Sequence, residues 1–298
     1  MCTSIKMHAL DNNILFARTM DWHTFPATPL VLPRDYEWLT AYDQRIVNNK
    51  YAILGVGHSI ANLHVDLSDG INEYGLAGQK LTFSNKSGYN NVPQSDKFPL
   101  APLEFILWLL GNFKSVDDVV QHIHEVQLMT AEHAAFDYGR NDLHFALTDP
   151  TGAMISIEPI DGELIVINNP IGVVTNAPSF QREIAKLDDY MDFSTTSTLL
   201  NGISSGNFSG KPAFPGGFTP TARFIRATIL KDYAVTPIDE ANNVIETWHI
   251  LNSVTVPKST SRSDTYTIYR SAYSIDKKQL YYQGYNDLAI QTFTFPIA

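Results

Sequence analysis

The 298-residue sequence contains one cysteine, Cys2. A single cysteine cannot form a disulfide within the chain, so nothing requires an oxidising compartment. The sequence also lacks any apolar run that approaches the roughly 20 residues of a membrane-spanning helix. Lys6, His8 and Asp11 interrupt the first residues, which therefore do not form the apolar core of a secretory signal. We expect a cytoplasmic protein with no membrane partner.

Positive charge is scarce as well. Lysine and arginine number 21 against 31 aspartate and glutamate residues, which gives a formal net charge of -10 at pH 7. This charge repels phosphate backbones and argues against a nucleic-acid partner. An anionic ligand would need a local cationic site, for which Arg18 and Arg223 are candidates. The hydrophobic content of 44% suits a soluble chain of one large or two small domains.

The histidines do not form a metal-binding pattern. His122 and His124 lie two residues apart on a predicted helix and point to opposite sides. His64 and Asp66 share a predicted strand face, but a third and fourth ligand are not evident. The sequence has no His-Glu-x-x-His pattern and no phosphate-binding glycine loop. We expect no metal and no cofactor.

Cys2 can carry two reactive groups on one residue, because removal of Met1 leaves it with both a thiol and a free α-amine. A nucleophilic thiol needs a base for its proton, and an α-amine with an ordinary pKa of about 7.7–8.0 is suitable. Arg18 supplies a cation that favours the thiolate. Asp21 then holds the ammonium form of the terminus or orients Arg18. The alternative is that the cysteine occurs by chance at a frayed terminus. The apolar, alternating sequence around Cys2 argues against this alternative.

That alternation predicts a hairpin at the start of the chain. Residues 3–7 and 14–20 read as strands joined by a turn at 11–13. Pairing of these strands brings Arg18 back beside Cys2.

The remaining elements alternate between groups of strands and groups of helices. Further strands are predicted at 51–56, 75–83, 143–148, 154–158, 163–168, 172–175, 266–269, 279–283 and 292–295. Helices are predicted at 102–113, 181–190, 219–233 and 238–251. One more helix is predicted to begin after a capping residue at Ser115. Asp69, Gly70 and Asn72 read as turn residues in front of the 75–83 strand. This order favours a layered α+β sandwich.

Five motifs carry a resemblance to a known family; in chain order they are Met1 to Ser4, Leu15 to Asp21, Asp69 to Leu76, Val174 to Pro178 and Arg223 to Ala227. As a set they resemble the choloylglycine hydrolase family of N-terminal nucleophile hydrolases, which contains penicillin V acylases and conjugated bile salt hydrolases. The resemblance runs from Cys2 to about Asn286. It implies one domain, 2–298 after removal of Met1, with the four-layer αββα sandwich of that family.

The resemblance also implies how the protein assembles. The Ser-, Thr-, Gly- and Pro-rich segment around 195–217 corresponds to a region that projects and helps subunits to associate. We therefore expect a homo-oligomer, a tetramer or a dimer.

The resemblance further implies a catalytic set made of Cys2, Arg18, Asp21, Asn176 and Arg223. By this likeness, the Cys2 thiolate attacks a linear amide, the α-amine passes the proton to the leaving amine, and water hydrolyses the thioester. Asn176 and the residue at Thr82 donate hydrogen bonds to the oxyanion. At the position of Thr82, many bile salt hydrolases carry Asn and penicillin V acylases more often carry Tyr. If the backbone N–H is the donor, catalysis survives this difference, which then affects the choice of substrate.

Each of these residues also has a purely structural explanation. Asn176 suits a turn, and Arg223 suits a solvated helix surface. Arg226 shares a helix face with Arg223 but lacks its motif position. Arg18 and Asp21 suit an exposed cross-strand ion pair.

The substrate pocket is predicted from side chains near the family's pocket segments, which are Trp22, Phe25, His58, Ile60 and Tyr138. Their character indicates an apolar acyl group, although Trp22 and Phe25 also suit a core. Segments 15–21 and 219–223 look closer to penicillin V acylases, so that activity comes first. Hydrolysis of conjugated bile salts is the second candidate and hydrolysis of N-acyl homoserine lactones is the third.

A non-catalytic binding or assembly protein that keeps the fold is the competing class. It predicts that Met1 is retained and that Cys2 is replaceable without loss of function.

Overall fold

The computed structural model describes residues 2–60, 62–190, 214–262 and 264–296. Within these ranges the strands are β1 (Cys2–His8), β2 (Ile14–Trp22), β3 (Thr28–Leu32), β4 (Glu37–Leu39), β5 (Ile46–Asn48), β6 (Ile53–Ile60), β7 (His64–Asn72), β8 (Ala77–Thr82), β9 (Phe98–Leu100), β10 (Val126–Leu128), β11 (Leu143–Thr148), β12 (Met154–Ile160), β13 (Glu163–Asn168), β14 (Val173–Val174), β15 (Tyr266–Ser274), β16 (Gln279–Gly284) and β17 (Gln291–Thr294). The helices are α1 (Phe105–Asn112), α2 (Val116–His122), α3 (Phe180–Leu187), α4 (Pro220–Tyr233) and α5 (Glu240–Val254). The predicted assembly segment around 195–217 lies, up to residue 213, outside the described residues.

Two large sheets organise the chain. A six-stranded sheet has the order β14-β1-β2-β15-β16-β17, and a seven-stranded sheet has the order β13-β12-β11-β8-β7-β6-β3. Neighbouring strands in both sheets run antiparallel. Two small ladders, β4 with β5 and β9 with β10, complete the strand pairing of the described residues.

Three apolar clusters show how the layers stack. Helices α1 and α2 pack their apolar side chains on the outer face of the seven-stranded sheet, and α3, α4 and α5 pack on the outer face of the six-stranded sheet. The third cluster, with Phe16, Val56 and Tyr273, lies between the two sheets. The order of layers is therefore helix, sheet, sheet, helix, which confirms the predicted four-layer αββα sandwich.

The predicted hairpin at the start of the chain is confirmed. β1 pairs with β2 in a register that places Cys2 opposite Met20 and Ser4 opposite Arg18. Asn12, in the turn, has φ 69°, a left-handed conformation that asparagine tolerates better than most residues. Because helices cover one face of this sheet and the second sheet covers the other, both faces of β1 are buried.

The helices follow the sequence prediction to within a few residues. α1 is preceded by a 3₁₀ turn at Pro102–Glu104. The hydroxyl of Ser115 accepts a hydrogen bond from the Asp118 N–H at the start of α2, and Asp239 caps α5 in the same way. No helix in the described ranges has the length and apolarity that crossing a membrane demands.

The segment before β8 differs from the sequence prediction. Asp69, Gly70 and Asn72 belong to the long strand β7 and not to a turn, which instead follows at 73–75. A Cβ atom on Gly70 would come within 3.2 Å of Leu110 on α1, so this glycine permits close packing of the helix on the sheet. Asp69 is polar because its side chain faces a buried arginine, as described below.

Candidate active site

Cys2 lies at the start of β1, between the two sheets, and only 2% of its surface is exposed. Its backbone nitrogen donates a hydrogen bond of 2.6 Å to Oδ1 of Asn176. Its sulfur lies 3.8 Å from the sulfur of Met20, the cross-strand partner. While Met1 is attached this nitrogen is an amide, and in a chain that starts at Cys2 the same atom is the α-amine.

Arg18 is buried beneath the cysteine and is held by Asp69, an acidic residue that the sequence pattern had placed in a turn. Nη1 of Arg18 lies 3.3 Å from Oδ2 of Asp69, and both side chains are inaccessible to solvent. The same nitrogen donates to the Ser68 carbonyl at 2.9 Å. The Asp69 carboxylate also accepts hydrogen bonds from the hydroxyls of Tyr269, Ser271 and Tyr273 at 2.5 to 3.0 Å.

The charge of Arg18 faces the sulfur. Burial alone lowers the pKa of a guanidinium, but the neighbouring Cys2 side chain and the Asp69 carboxylate outweigh it and raise the pKa of Arg18. A cationic side chain next to the sulfur is a common feature of nucleophilic cysteines. The arrangement therefore supplies the cation that a nucleophilic cysteine needs.

Arg223 approaches Cys2 from the first turns of α4. It donates to the Cys2 carbonyl, to the Thr3 hydroxyl at 2.6 Å and to Oδ1 of Asn176 at 2.8 Å. Its Nη1 lies 3.7 Å from Oδ2 of Asp21, in a pair inaccessible to solvent. Burial lowers the pKa of Arg223, and Asp21 and Cys2 oppose this shift.

This pairing differs from the expectation that Asp21 orients Arg18. The carboxylate that forms an ion pair with Arg18 is Asp69, whereas Asp21 forms its ion pair with Arg223 and accepts a 2.6 Å hydrogen bond from Thr267. The reason is the alternation of side chains on β2, because neighbours at odd spacing point to opposite faces of a sheet. Sequence proximity of residues 18 and 21 therefore did not predict contact.

Arg226 is separated from this cluster. Its guanidinium donates to the carbonyls of Pro215, Gly217 and Ser253, and so holds the entry to α4 against α5. Arg223 and Arg226, which the sequence placed on one helix face, therefore have different contacts, and Arg223 is the one that contacts Cys2.

Asn176 joins Cys2 to the facing sheet. Its Oδ1 accepts from the Cys2 nitrogen and from Arg223, and its Nδ2 donates to the Thr82 carbonyl at 2.9 Å. In an antiparallel strand the N–H and C=O of one residue point to the same side. In regular strand geometry the Thr82 N–H therefore points to the same side of β8 as the carbonyl that Asn176 binds.

A cavity of about 310 Å³ opens beside the sulfur. It is lined by Trp22, Phe25 and His58, which the sequence assigned to the substrate pocket, and by Cys2 and the candidate oxyanion residue Thr82. The charged residues Asp66, Lys80, Arg140 and Asp142 line it too, which the sequence analysis did not foresee. The alternation of β7 and β8 was the available signal, because Asp66 and Ser68 share one strand face and Lys80 and Thr82 share another.

Ile60 and Tyr138 do not line this cavity. Both pack in a separate apolar cluster around Ala41 and Leu103. The Tyr138 hydroxyl donates to the carbonyls of residues 129 and 130 and lines an adjoining cavity. Their prediction as pocket residues is therefore not supported by their position.

Metal-binding side chains do not converge in the described part of the chain, where no group of three or more His, Cys, Asp or Glu residues has the geometry to hold an ion. The chemistry available at the site is that of the sulfur, the Cys2 nitrogen, two arginines and an amide.

Two sheets between helical layers, with a buried cysteine at the start of the first strand, define the architecture of the N-terminal nucleophile hydrolases. The crystal structure of the C2A mutant of the conjugated bile acid hydrolase from Clostridium perfringens superposes with a TM-score of 0.84 and 28% identity, covering 99% of this chain and 92% of that chain.

Sequence comparison identifies the family. The model for linear amide C-N hydrolases, choloylglycine hydrolase family, matches residues 2–296. The bile salt hydrolase/transferase of Clostridium perfringens is 29% identical over 300 residues, which is 96% of this chain and 90% of that protein. The penicillin V acylase of Pectobacterium atrosepticum is 25% identical over 226 residues, which is 71% of this chain and 54% of that protein. The chain belongs to the choloylglycine hydrolase family and is a hydrolase of linear amide bonds.

Proposed function

We propose that this enzyme cleaves the amide bond of a conjugated bile salt through a thioester on Cys2. The observation that carries the proposal is the geometry at Cys2. Its sulfur opens on the cavity, its nitrogen is held by Asn176, and the charge of Arg18 lies beside it. Nucleophile, base and stabilising cation are therefore supplied within one cluster.

The proposed reaction begins when removal of Met1 frees the α-amine of Cys2. The sulfur forms a bond to the amide carbon, and the thiol proton moves to the α-amine, which Asn176 orients through Oδ1. Collapse of the tetrahedral intermediate breaks the C–N bond, and the leaving amine takes that proton. Water then attacks the thioester with the α-amine as base, which releases the acid and restores the thiol.

The oxyanion of the intermediate is proposed to lie between β8 and the loop after β14. One N–H of Asn176 Nδ2 is engaged by the Thr82 carbonyl, and the amide carries a second N–H for the oxyanion. The backbone N–H of Thr82 is the second donor. A backbone donor is independent of the side chain, so threonine at this position is compatible with catalysis. Each such donor is worth about 2.7–4 kcal/mol in acyl transfer.

Arg223 and Asp21 are proposed to position Cys2 without touching the substrate. Arg223 holds the Cys2 carbonyl and the Thr3 hydroxyl, and Asp21 neutralises part of its charge. Loss of either would shift the nucleophile relative to the oxyanion donors.

Full-length similarity supports the bile salt branch. Bile salt hydrolases match 96% or more of this chain at 29% identity, whereas the penicillin V acylase relative matches 71% of it at 25%. These relatives favour the second candidate over penicillin V acylase, which the segments 15–21 and 219–223 had suggested. Penicillin V remains the alternative substrate, with N-acyl homoserine lactones third.

Homo-oligomerisation and a cytoplasmic location remain predictions. Light scattering coupled to gel filtration tests the first, with a dimer or tetramer expected. Fractionation of the host cell tests the second.

The test of the proposed function combines intact mass with activity. We expect purified protein to lack Met1 and to release glycine or taurine from conjugated bile salts faster than phenoxyacetate from penicillin V. The Cys2→Ala variant should lose at least about 10⁴-fold in kcat on every substrate, as for removal of other catalytic nucleophiles. Retained Met1, or turnover that survives Cys2→Ala, would support the non-catalytic alternative or another nucleophile.

A further inference from the structure

The cavity beside Cys2 contains an ion pair that the proposed mechanism does not use. Lys80 of β8 and Asp66 of β7 form a salt bridge, with side chains 8% and 19% exposed. Both residues line the same cavity as Cys2 and Thr82. A charged pair in so enclosed a place is unexpected in a pocket for an apolar acyl group.

His58 extends this polar region. Its Nδ1 lies 4.0 Å from Oδ2 of Asp66, beyond hydrogen-bond distance. This nitrogen is buried and makes no hydrogen bond to any residue that the structure describes. On its other side the ring packs against Phe25, with ring centroids 5.3 Å apart. The cavity thus has an aromatic side and a polar side, and the polar side carries an unused hydrogen-bonding atom.

Stability does not explain the pair. Two charges removed from water lose hydration that their mutual attraction often fails to repay, and a well-packed apolar pair of similar volume is commonly as stable or more stable. A substrate that is apolar throughout would remove the remaining water from both charges and leave His58 unpaired. Such a substrate would bind at a cost.

The chemistry of the pair selects its ligand. Lys80 donates only and ionised Asp66 accepts only. A hydroxyl group can accept from Lys80 and donate to Asp66 or His58, and so satisfies both sides. A carboxylate would be repelled by Asp66 and an ammonium by Lys80. A neutral group that both donates and accepts is therefore favoured over either ion.

We propose that Lys80 and Asp66 are specificity-determining residues that select an acyl group bearing a hydroxyl, over an otherwise identical acyl group without one. The inference rests on the proposed amide hydrolysis at Cys2. The acyl side of the substrate is assigned to this cavity because the acyl group stays bonded to the sulfur after the amine has left. The cavity that Cys2 lines must then hold the acyl group while the amine leaves and water enters.

The test compares glycocholate with the glycine conjugate of the steroid acid that lacks ring hydroxyls. The wild-type enzyme should show at least about a tenfold higher kcat/KM on glycocholate, the discrimination expected from one hydrogen bond to a charged group. In Lys80→Met/Asp66→Leu the ratio should fall towards one, because activity on glycocholate falls while activity on the hydroxyl-free conjugate rises. The control Arg34→Met/Glu73→Leu removes an exposed ion pair outside the cavity and should keep the wild-type ratio.

A binding measurement separates this inference from the proposed function. Calorimetric titration of the Cys2→Ala protein with the two free acids reports selection without turnover, and cholate should bind about tenfold more tightly. Absence of hydrolysis together with this binding preference would reject the reaction and keep the selection. Equal kcat/KM or equal affinity in the protein with Lys80 and Asp66 intact would overturn the inference, whether or not the double variant folds.

Discussion

Two buried arginines contact different parts of Cys2. Arg18 comes from β2, faces the sulfur and is balanced by Asp69, whereas Arg223 comes from α4, binds the backbone of Cys2 and is balanced by Asp21. In the proposed mechanism, one guanidinium therefore acts on the charge of the nucleophile and the other on its position. Because each charge has its own carboxylate, the removal of any one of the four leaves a buried charge without its ion-pair partner.

The Asp69→Asn variant tests the support of Arg18. Asparagine keeps the size of the side chain but removes the charge opposite a fully buried guanidinium, so the free energy of unfolding should fall by about 3–5 kcal/mol. Urea denaturation measures this change. The control Asp43→Asn breaks an exposed pair with Arg45 and should cost no more than about 1 kcal/mol. Equal losses in the two variants would contradict the role of Asp69.

The Asn176→Ala variant tests the junction of nucleophile and oxyanion donor. It removes the acceptor for the Cys2 nitrogen and the proposed side-chain donor together, so kcat should fall by about 10²–10³-fold. Steady-state kinetics on a conjugated bile salt measures the loss. Asn252→Ala, at an exposed position on α5, should leave kcat unchanged. A variant that changes only KM would show that Asn176 binds substrate without stabilising the intermediate.

At the scale of elements, the two sheets meet near the site through β11. His144 of this strand stacks on Phe83 and has its Nε2 2.8 Å from the Thr175 carbonyl, just before Asn176. Burial lowers the pKa of His144 to about 4, and the hydrogen bond to Thr175 only partly opposes this shift. A neutral imidazole therefore links the seven-stranded sheet to the loop that carries Asn176.

The lowered pKa of His144 predicts that the stability of the protein depends on pH. An unfolded histidine has a pKa near 6.5, so between about pH 6.5 and pH 4 the unfolded chain binds a proton that the folded protein does not. The free energy of unfolding should consequently fall as the pH drops through this window, by up to roughly 3 kcal/mol from His144. Denaturation of wild type and His144→Gln at a series of pH values isolates the effect, because the variant should lose this part of the slope. His249→Gln, exposed on α5, is the control, and a slope unchanged in His144→Gln would refute the assignment.

At the scale of the whole molecule, the net charge of -10 opposes the approach of an anionic conjugate. Salt screens that repulsion, and the Debye length falls from about 30 Å at 0.01 M to about 8 Å at 0.15 M. We expect kcat/KM for an anionic bile salt conjugate to rise by about two- to threefold over this range. The uncharged primary amide of the same acid should show no such rise. A fall with salt would indicate that local cations outweigh the net charge.

Features that depend on local sequence were predicted correctly, whereas features that depend on distant contacts were not. The β1–β2 hairpin, the cap at Ser115 and the start of α4 at Pro220 depend on local alternation, capping chemistry and proline geometry, and all were predicted. Asp69 and Gly70 were wrongly predicted to lie in a turn, because both residue types are common in turns. Each residue type is instead explained by a contact with a residue distant in the sequence. These distant residues are Arg18 and Leu110, respectively.

The sequence by itself indicated Cys2 as the candidate nucleophile, a layered α+β sandwich and the family motifs, and the resemblance that these motifs carry implied the four-layer order. These features depend on the one cysteine, on periodicity along short stretches and on residues close in the chain. Tertiary structure alone decided which carboxylate serves which arginine, and that Ile60 and Tyr138 lie away from the cavity. It also placed Lys80 and Asp66 beside Cys2. The physical reason is that ion pairs and cavity walls form between strands distant in sequence, whose register and facing surfaces are set only when both sheets pack.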